Sequence, residues 1–151
     1  MVIRRLPADD LVFGKIRLDV GCGSAPRPGF VGLDKEDYGQ EIVWDAEQGI
    51  PLPDDSCAEI FCQHTVEHLT DLVGVMREFW RVLGPRGKLT IIAPHRTSIQ
   101  ALKPTHVRLI DEGTFLAFAE EDKQGAKYWR IEEMAVNERP DIHVIMSPLG
   151  K

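Results

Sequence analysis

The segment Leu18-Asp19-Val20-Gly21-Cys22-Gly23 closes an apolar run with a carboxylate and a glycine loop. Gly21 and Gly23 have no side chains, so a ligand can approach the main chain closely there. Two more aspartates, Asp34 and Asp45, end the next two apolar runs. A carboxylate accepts hydrogen bonds at both oxygens. Asp34 therefore suits the vicinal hydroxyls of a ribose, and Asp45 suits the exocyclic amine of an adenine. Asp19 suits an ammonium group, directly or through water. Each aspartate alone is explained by a turn or a cap; three in this order point to a nucleoside site.

The kind of nucleoside follows by exclusion. A dinucleotide site reads Gly-x-Gly-x-x-Gly, places its pyrophosphate on a helix N-terminus and has its acidic ribose residue about 20 residues on. Here Pro26 holds the third glycine position, and Asp34 comes too soon for a full helix in between. That ranks a nicotinamide-dependent oxidoreductase low. No Gly-Lys-Ser/Thr is present, which excludes a phosphate-cradling loop. Arg27 and Lys35 are the nearby cations. The pattern favours a cationic nucleoside without phosphate, and S-adenosylmethionine, with its sulfonium and ammonium, fits.

Methyl transfer from a sulfonium is an in-line displacement that mainly needs alignment and exclusion of water. A general base helps when the nucleophile carries a proton. His64, His95 and His106 follow later apolar runs and are candidates, since imidazole titrates near neutrality; the alternative for each is a loop-ordering hydrogen bond. His95, His106 and Arg108 are expected to line the acceptor pocket, with residues 97–108 and the following helix as a lid. Glu67 and His68 lack the repeated spacing of a metal site, as do Cys22, Cys57 and Cys62, so no metal is expected. The thiols are expected to be reduced and mostly buried. Trp44, Trp80 and Trp129 are read as packing residues, and Asp54 and Asp55 as a solvated turn.

The elements that must position these groups alternate. Strands are expected at residues 15–20, 30–33, 41–44, 58–62 and 88–93, with a closing hairpin from 128–136 and 141–146. Leu69, Leu72, Val73, Met76, Phe79, Trp80 and Leu83 recur at helical steps and predict a helix over 69–83. Thr70 or Asp71 can cap it, and Gly84-Pro85 stops it. A second helix is expected from about Asp111. The alternation argues for an α/β domain with a mostly parallel sheet.

The chain has 151 residues, 43% of them hydrophobic and 28% charged, which suits one domain spanning 1–151 with its own core. The net charge of −6, without a cluster of Lys and Arg, disfavours a nucleic-acid partner. Residues 1–13 do not read as a signal peptide, and no run approaches a membrane span. A cytoplasmic location is expected.

Taken in order, the motifs resemble class I S-adenosylmethionine-dependent methyltransferases of the compact type 11 sort. The resemblance rests on Asp19-Val-Gly-Cys-Gly23, Asp34, Trp44-Asp45-Ala46, residues 50–56 (Ile-Pro-Leu-Pro-Asp-Asp-Ser), His64-Thr-Val-Glu-His68-Leu, residues 77–87 and the strand 88–93. It implies a Rossmann-like, seven-stranded, mostly parallel sheet with an antiparallel last strand in a three-layer α/β/α arrangement. The first crossover helix is expected to be shortened or absent, because only residues 24–29, with two prolines, are available for it. The resemblance implies that Asp34 binds the ribose, that Asp45 and Ala46 meet the adenine, and that Gln63 and His64 border the cofactor. The cofactor site then comprises Asp19, Gly21, Cys22, Gly23, Asp34, Lys35, Asp45, Ala46, Gln63 and His64. The expected activity is methyl transfer to a small-molecule acceptor, held partly by a second subunit in a homodimer. The runner-up is a cofactor-binding scaffold of the same fold without turnover.

Overall fold

The computed structural model describes residues 1–4, 6 and 15–151. The reading of residues 1–13 as no signal peptide falls largely on residues 5 and 7–14, outside the described residues. Eight strands form one sheet: β1 (Val2–Ile3), β2 (Ile16–Val20), β3 (Val31–Asp34), β4 (Ile42–Val43), β5 (Cys57–Gln63), β6 (Leu83–Pro94), β7 (Trp129–Val136) and β8 (Asp141–Pro148). Their order is β1-β4-β3-β2-β5-β6-β8-β7. Strands β4, β3, β2, β5 and β6 run parallel, and β8 inserts antiparallel between β6 and β7. The sheet is the expected one with an addition: two residues near the N-terminus pair antiparallel with β4 and cap that edge. The expected 58–62 and 88–93 strands are longer at both ends, because β5 and β6 pair from Cys57–Leu83 onward.

Two α-helices connect the later strands: α1 (Leu72–Val82) and α2 (Glu112–Ala119). Asp71 caps α1 by accepting from the Gly74 N–H at 2.8 Å. Asp111 and Thr114 form a capping box at the start of α2. The helix expected over 69–83 is shorter: residues 69–71 are not helical but link the 3₁₀ turn Val66–His68 to α1, and Leu83 already belongs to β6. The buried stripe of α1 is Leu72, Val75, Met76, Phe79 and Val82, while Val73 faces solvent.

Those side chains and Phe115 of α2 share one core with Ile16, Leu18 and Val20 of β2, Ile60 and Cys62 of β5, and Leu89, Ile91 and Ala93 of β6. Strand residues two apart point to one face, so both helices lie on the same side of the sheet. The three-layer expectation is corrected here: among the described residues no α-helix covers the other face. The short crossovers after β2 and β3 leave no length for one. That face carries its own polar row instead. Glu59 of β5 pairs with Arg17 of β2 at 3.0 Å and with Lys88 of β6 at 3.2 Å. The segment after the glycine loop folds across the same face, with the Arg27 guanidinium 4.1 Å from the Phe61 ring centre and that of Arg17 4.2 Å from Phe30.

Asp54 and Asp55 are more than a solvated turn, because Asp54 pairs with Arg81 at 2.7 Å and Asp55 with Lys151. Trp129 is core and Trp80 packs edge-on against Tyr128, both as expected of packing residues. No helix among the described residues is long and apolar enough to cross a membrane.

Candidate functional site

The carboxyl ends of β2, β3, β4 and β5 converge, as they must in an open parallel sheet. Three adjoining clefts open there. The first, about 250 Å³, is lined by Gly21, Asp34, Lys35, Trp44, Asp45, Ala46, Glu47, His64, Thr65 and His68. The second, about 320 Å³, is lined by Asp19, Gly21, Cys22, Arg27, Gln63 and His64. The third, about 590 Å³, is lined by His64, Glu67, His68, Ser98, Gln100, Lys103 and His106. Gly21 belongs to the first two clefts, and His64 to all three.

The glycine loop needs its glycines. Gly21 has φ +70°, and a Cβ there would lie 2.0 Å from Thr65 Oγ1. Gly23 has φ +57° and donates its N–H to Asp34 Oδ2 at 2.9 Å, while the Glu36 N–H reaches Oδ1 at 3.0 Å. The Arg27 N–H donates to Asp19 Oδ2 at 2.8 Å. Asp45 caps the 3₁₀ turn Ala46–Gln48 through the Glu47 N–H at 3.0 Å. All three aspartates thus serve a turn or cap and also face a cleft. Each keeps lone pairs for a ligand, since a carboxylate has about four acceptor sites.

Asp19 is 5% exposed, and burial raises its carboxyl above the ordinary value against the opposing bond from Arg27. A raised acid stabilises the fold below the unfolded-state pKa and loses that contribution as pH rises through the folded-state value. At neutral pH the buried charge therefore works against the fold. Asp19→Asn, which keeps an oxygen for the Arg27 N–H, is expected to melt higher than the wild type at pH 7. The difference should vanish near pH 3, below the ordinary aspartate value of about 3.9. Thermal melts at both pH values check this, and a lower melting point for the variant at pH 7 would refute it.

His64 sits just past β5 with φ +51°, which turns its side chain off the sheet; its N–H donates to the Ile92 carbonyl at 2.8 Å. Its Nδ1 lies 3.6 Å from Glu67 Oε1. His95 is different. Its Nε2–H donates to Glu112 at 3.1 Å, and its Nδ1 accepts from the Thr97 hydroxyl at 2.7 Å and from the Thr97 N–H at 3.3 Å. Both ring nitrogens are committed, so His95 orders a loop and lines none of the three clefts. Arg108 is likewise withdrawn, donating to the carbonyls of Leu69 and Thr70. The expected acceptor trio of His95, His106 and Arg108 is therefore corrected to His106 alone. Residues 97–108 contain the 3₁₀ turn Ile99–Leu102 and supply a wall of the third cleft.

Trp44, read as packing, does pack and bonds the Gly49 carbonyl through Nε1 at 2.8 Å, but it also walls the first cleft. Sequence reasoning also missed Thr65 and His68 as cleft residues; their neighbour His64 was the available signal. The cysteines are free and part- or fully buried. Burial pushes the Cys22 and Cys57 thiols up to about 12 and that of Cys62 higher still, so none is a ready nucleophile.

A methyltransferase domain family matches residues 26–91, beginning just beyond the glycine loop. No curated protein matches the chain in sequence. Solved structures share the fold. An S-adenosylmethionine-dependent methyltransferase from Aquifex aeolicus superposes with a TM-score of 0.66 at 18% identity, over 91% of this chain and 85% of that one. A putative type 11 methyltransferase from Sulfolobus solfataricus gives 0.63 at 17% identity, over 90% and 85%. An S-adenosylmethionine-dependent methyltransferase from Mesorhizobium loti gives 0.63 at 17%, over 94% and 93%.

Proposed function

We infer that this chain, an S-adenosylmethionine-dependent methyltransferase of the type 11 kind by the domain its residues 26–91 match and by its fold, methylates a small-molecule acceptor entering the third cleft. The donor set fits the cofactor: carboxylates at three strand ends, glycines between, and no phosphate cradle. In the first cleft, Asp34 takes the ribose hydroxyls, Asp45 and Ala46 meet the adenine, and Lys35 stands at the rim. In the second, Asp19 faces the ammonium and Arg27 the carboxylate of the methionine end, with Gly21, Cys22 and Gln63 closing around it; Gly23 lines none of the three clefts and serves the site through its bond to Asp34. When bound, the cofactor supplies a methyl group on a positively charged sulfur that leaves readily.

What remains for the protein is alignment and a place for the acceptor's proton. The observation that carries the reading is the position of His64, shared by all three clefts. An imidazole there would stand beside both the bound methyl donor and the incoming nucleophile and could take the acceptor's proton, with the Glu67 carboxylate 3.6 Å away to stabilise the charged ring. His106 stands across the third cleft and orients the acceptor. The test is release of S-adenosylhomocysteine with a panel of phenols, thiols, imidazoles and carboxylic acids. One class is expected to turn over, and His64→Asn to slow it about 100-fold, well beyond any change in cofactor affinity. Tight cofactor binding with no turnover on any class would replace this reading with that of a binding scaffold.

A further inference from the structure

Glu67, His68 and His106 each bring one ligand-capable atom to within 4.8 Å of the others. Neither Oε2 of Glu67 nor Nδ1 of His106 has a hydrogen-bond partner among the described residues, although both are shut from solvent. The Glu67 side chain is 2% exposed, and a carboxylate oxygen so deep without a donor is costly unless a cation meets it. The nitrogens are prepared as well. The Nδ1–H of His68 donates to the Thr105 carbonyl at 3.1 Å. That bond fixes the tautomer and leaves the Nε2 lone pair free, the arrangement that a metal-ligating histidine takes. The two imidazoles meet edge-on at 89°, with centres 4.6 Å apart.

The fold assembles this group deliberately. Glu67 and His68 lie in the 3₁₀ turn after β5, and His106 comes from the loop after β6. The Val107 N–H donates to the Glu67 carbonyl at 2.9 Å, and Arg108 clamps the Leu69 and Thr70 carbonyls. The loop is thus fastened to the turn directly after His106.

We propose that Glu67, His68 and His106 bind a divalent transition-metal ion, zinc foremost, where the first and third clefts meet. Two imidazoles and one carboxylate are a three-ligand set that leaves a position open on a four-coordinate ion. Ligand atoms at about 2.0–2.2 Å from zinc require a slight contraction of the cluster, which the exposed His68 makes by rotation. All three residues line the third cleft, so the open position faces the acceptor. An acceptor hydroxyl or thiol held there gives up its proton more readily, to His64 or to water. Its lone pair then forms the bond to the methyl carbon as the carbon–sulfur bond breaks and that electron pair passes to sulfur. This role rests on the methyl-transfer reading; the ion site does not.

The experiment is calorimetric titration of the chelator-treated full chain with zinc chloride, without cofactor or acceptor. One equivalent is expected to bind, and His68→Gln, His106→Gln and Glu67→Gln each to weaken it tenfold or more. His68 is exposed, so its variant keeps the fold, which circular dichroism verifies, even if the buried Glu67 variant does not. Absence of a saturable site in the wild type, or unchanged affinity in His68→Gln and His106→Gln, overturns the proposal. A parallel titration with S-adenosylhomocysteine separates the two readings: its binding without zinc binding removes only the ion site, and zinc binding alone removes only the cofactor reading.

Discussion

Asp34→Ala is expected to weaken S-adenosylhomocysteine binding by at least 100-fold. In the proposed site the carboxylate offers its remaining lone pairs to two ribose hydroxyls, and a hydrogen bond to a charged group contributes about 1.5–3 kcal/mol. Two such bonds come to about 3 kcal/mol or more, or two orders of magnitude in affinity. Part of the loss is indirect, since Gly23 surrenders its acceptor and the loop loosens. Asp34→Asn separates the two effects. Its amide oxygen still receives the Gly23 N–H, but it offers one acceptor where the carboxylate offers two, so affinity should fall to an intermediate level. Calorimetric titration of wild type and both variants measures this. An alanine variant that binds like the wild type would exclude Asp34 from the ribose.

Arg81→Ala is expected to destabilise the fold by about 3 kcal/mol and lower the melting temperature by about 10 °C. From the last turn of α1, the guanidinium bonds both oxygens of Glu78, Asp54 Oδ1 and the carbonyls of Leu52 and Ile50. Glu78 in turn receives the Ile50 N–H at 2.8 Å. The side chain is 30% exposed, so the network is partly screened from water. Its partners raise the Arg81 pKa and hold the Glu78 carboxyl below its usual value. Removing the fork leaves the Leu52 and Ile50 carbonyls without this donor and the half-buried Glu78 with the Ile50 N–H alone. Arg81→Lys should recover less than half of the loss, because an ammonium with three donors cannot span the five acceptors that the planar guanidinium reaches. Chemical denaturation checks both variants. A loss under 1 kcal/mol in Arg81→Ala would show that water replaces the network at little cost.

The fold was largely legible because its signals are local. The apolar runs ending at Asp34, Asp45 and Gln63 mark the strands, and the spacing from Leu72 to Phe79 marks α1. The shortened first crossover could be counted from the residues between Gly23 and Phe30. The missing third layer could not, since nothing local says whether a sheet face is covered by a helix or by its own charges. The polar row of Arg17, Glu59 and Lys88 becomes visible only when register brings three separate strands side by side. The same limit applies at the site. Asp19, Asp34 and Asp45 each announce themselves at a strand end. His95 follows the same rule and yet turns away, because Glu112, 17 residues later, reaches it through α2. Glu67, His68 and His106 join across a separation that no spacing rule covers, and Trp44 looked like packing because it does pack.

The loop after β2 is held by Asp34 and Asp19, the two carboxylates proposed to meet the cofactor. Gly23 hangs on Asp34 and Arg27 on Asp19. Loop order and ligand affinity are therefore one linked equilibrium. The ordering of the loop is met largely during folding, so less freedom remains to be lost when the ligand arrives. By reciprocity, a bound ligand lends rigidity to the loop, and any change that frays residues 21–27 is felt as weaker binding even when it touches no ligand atom.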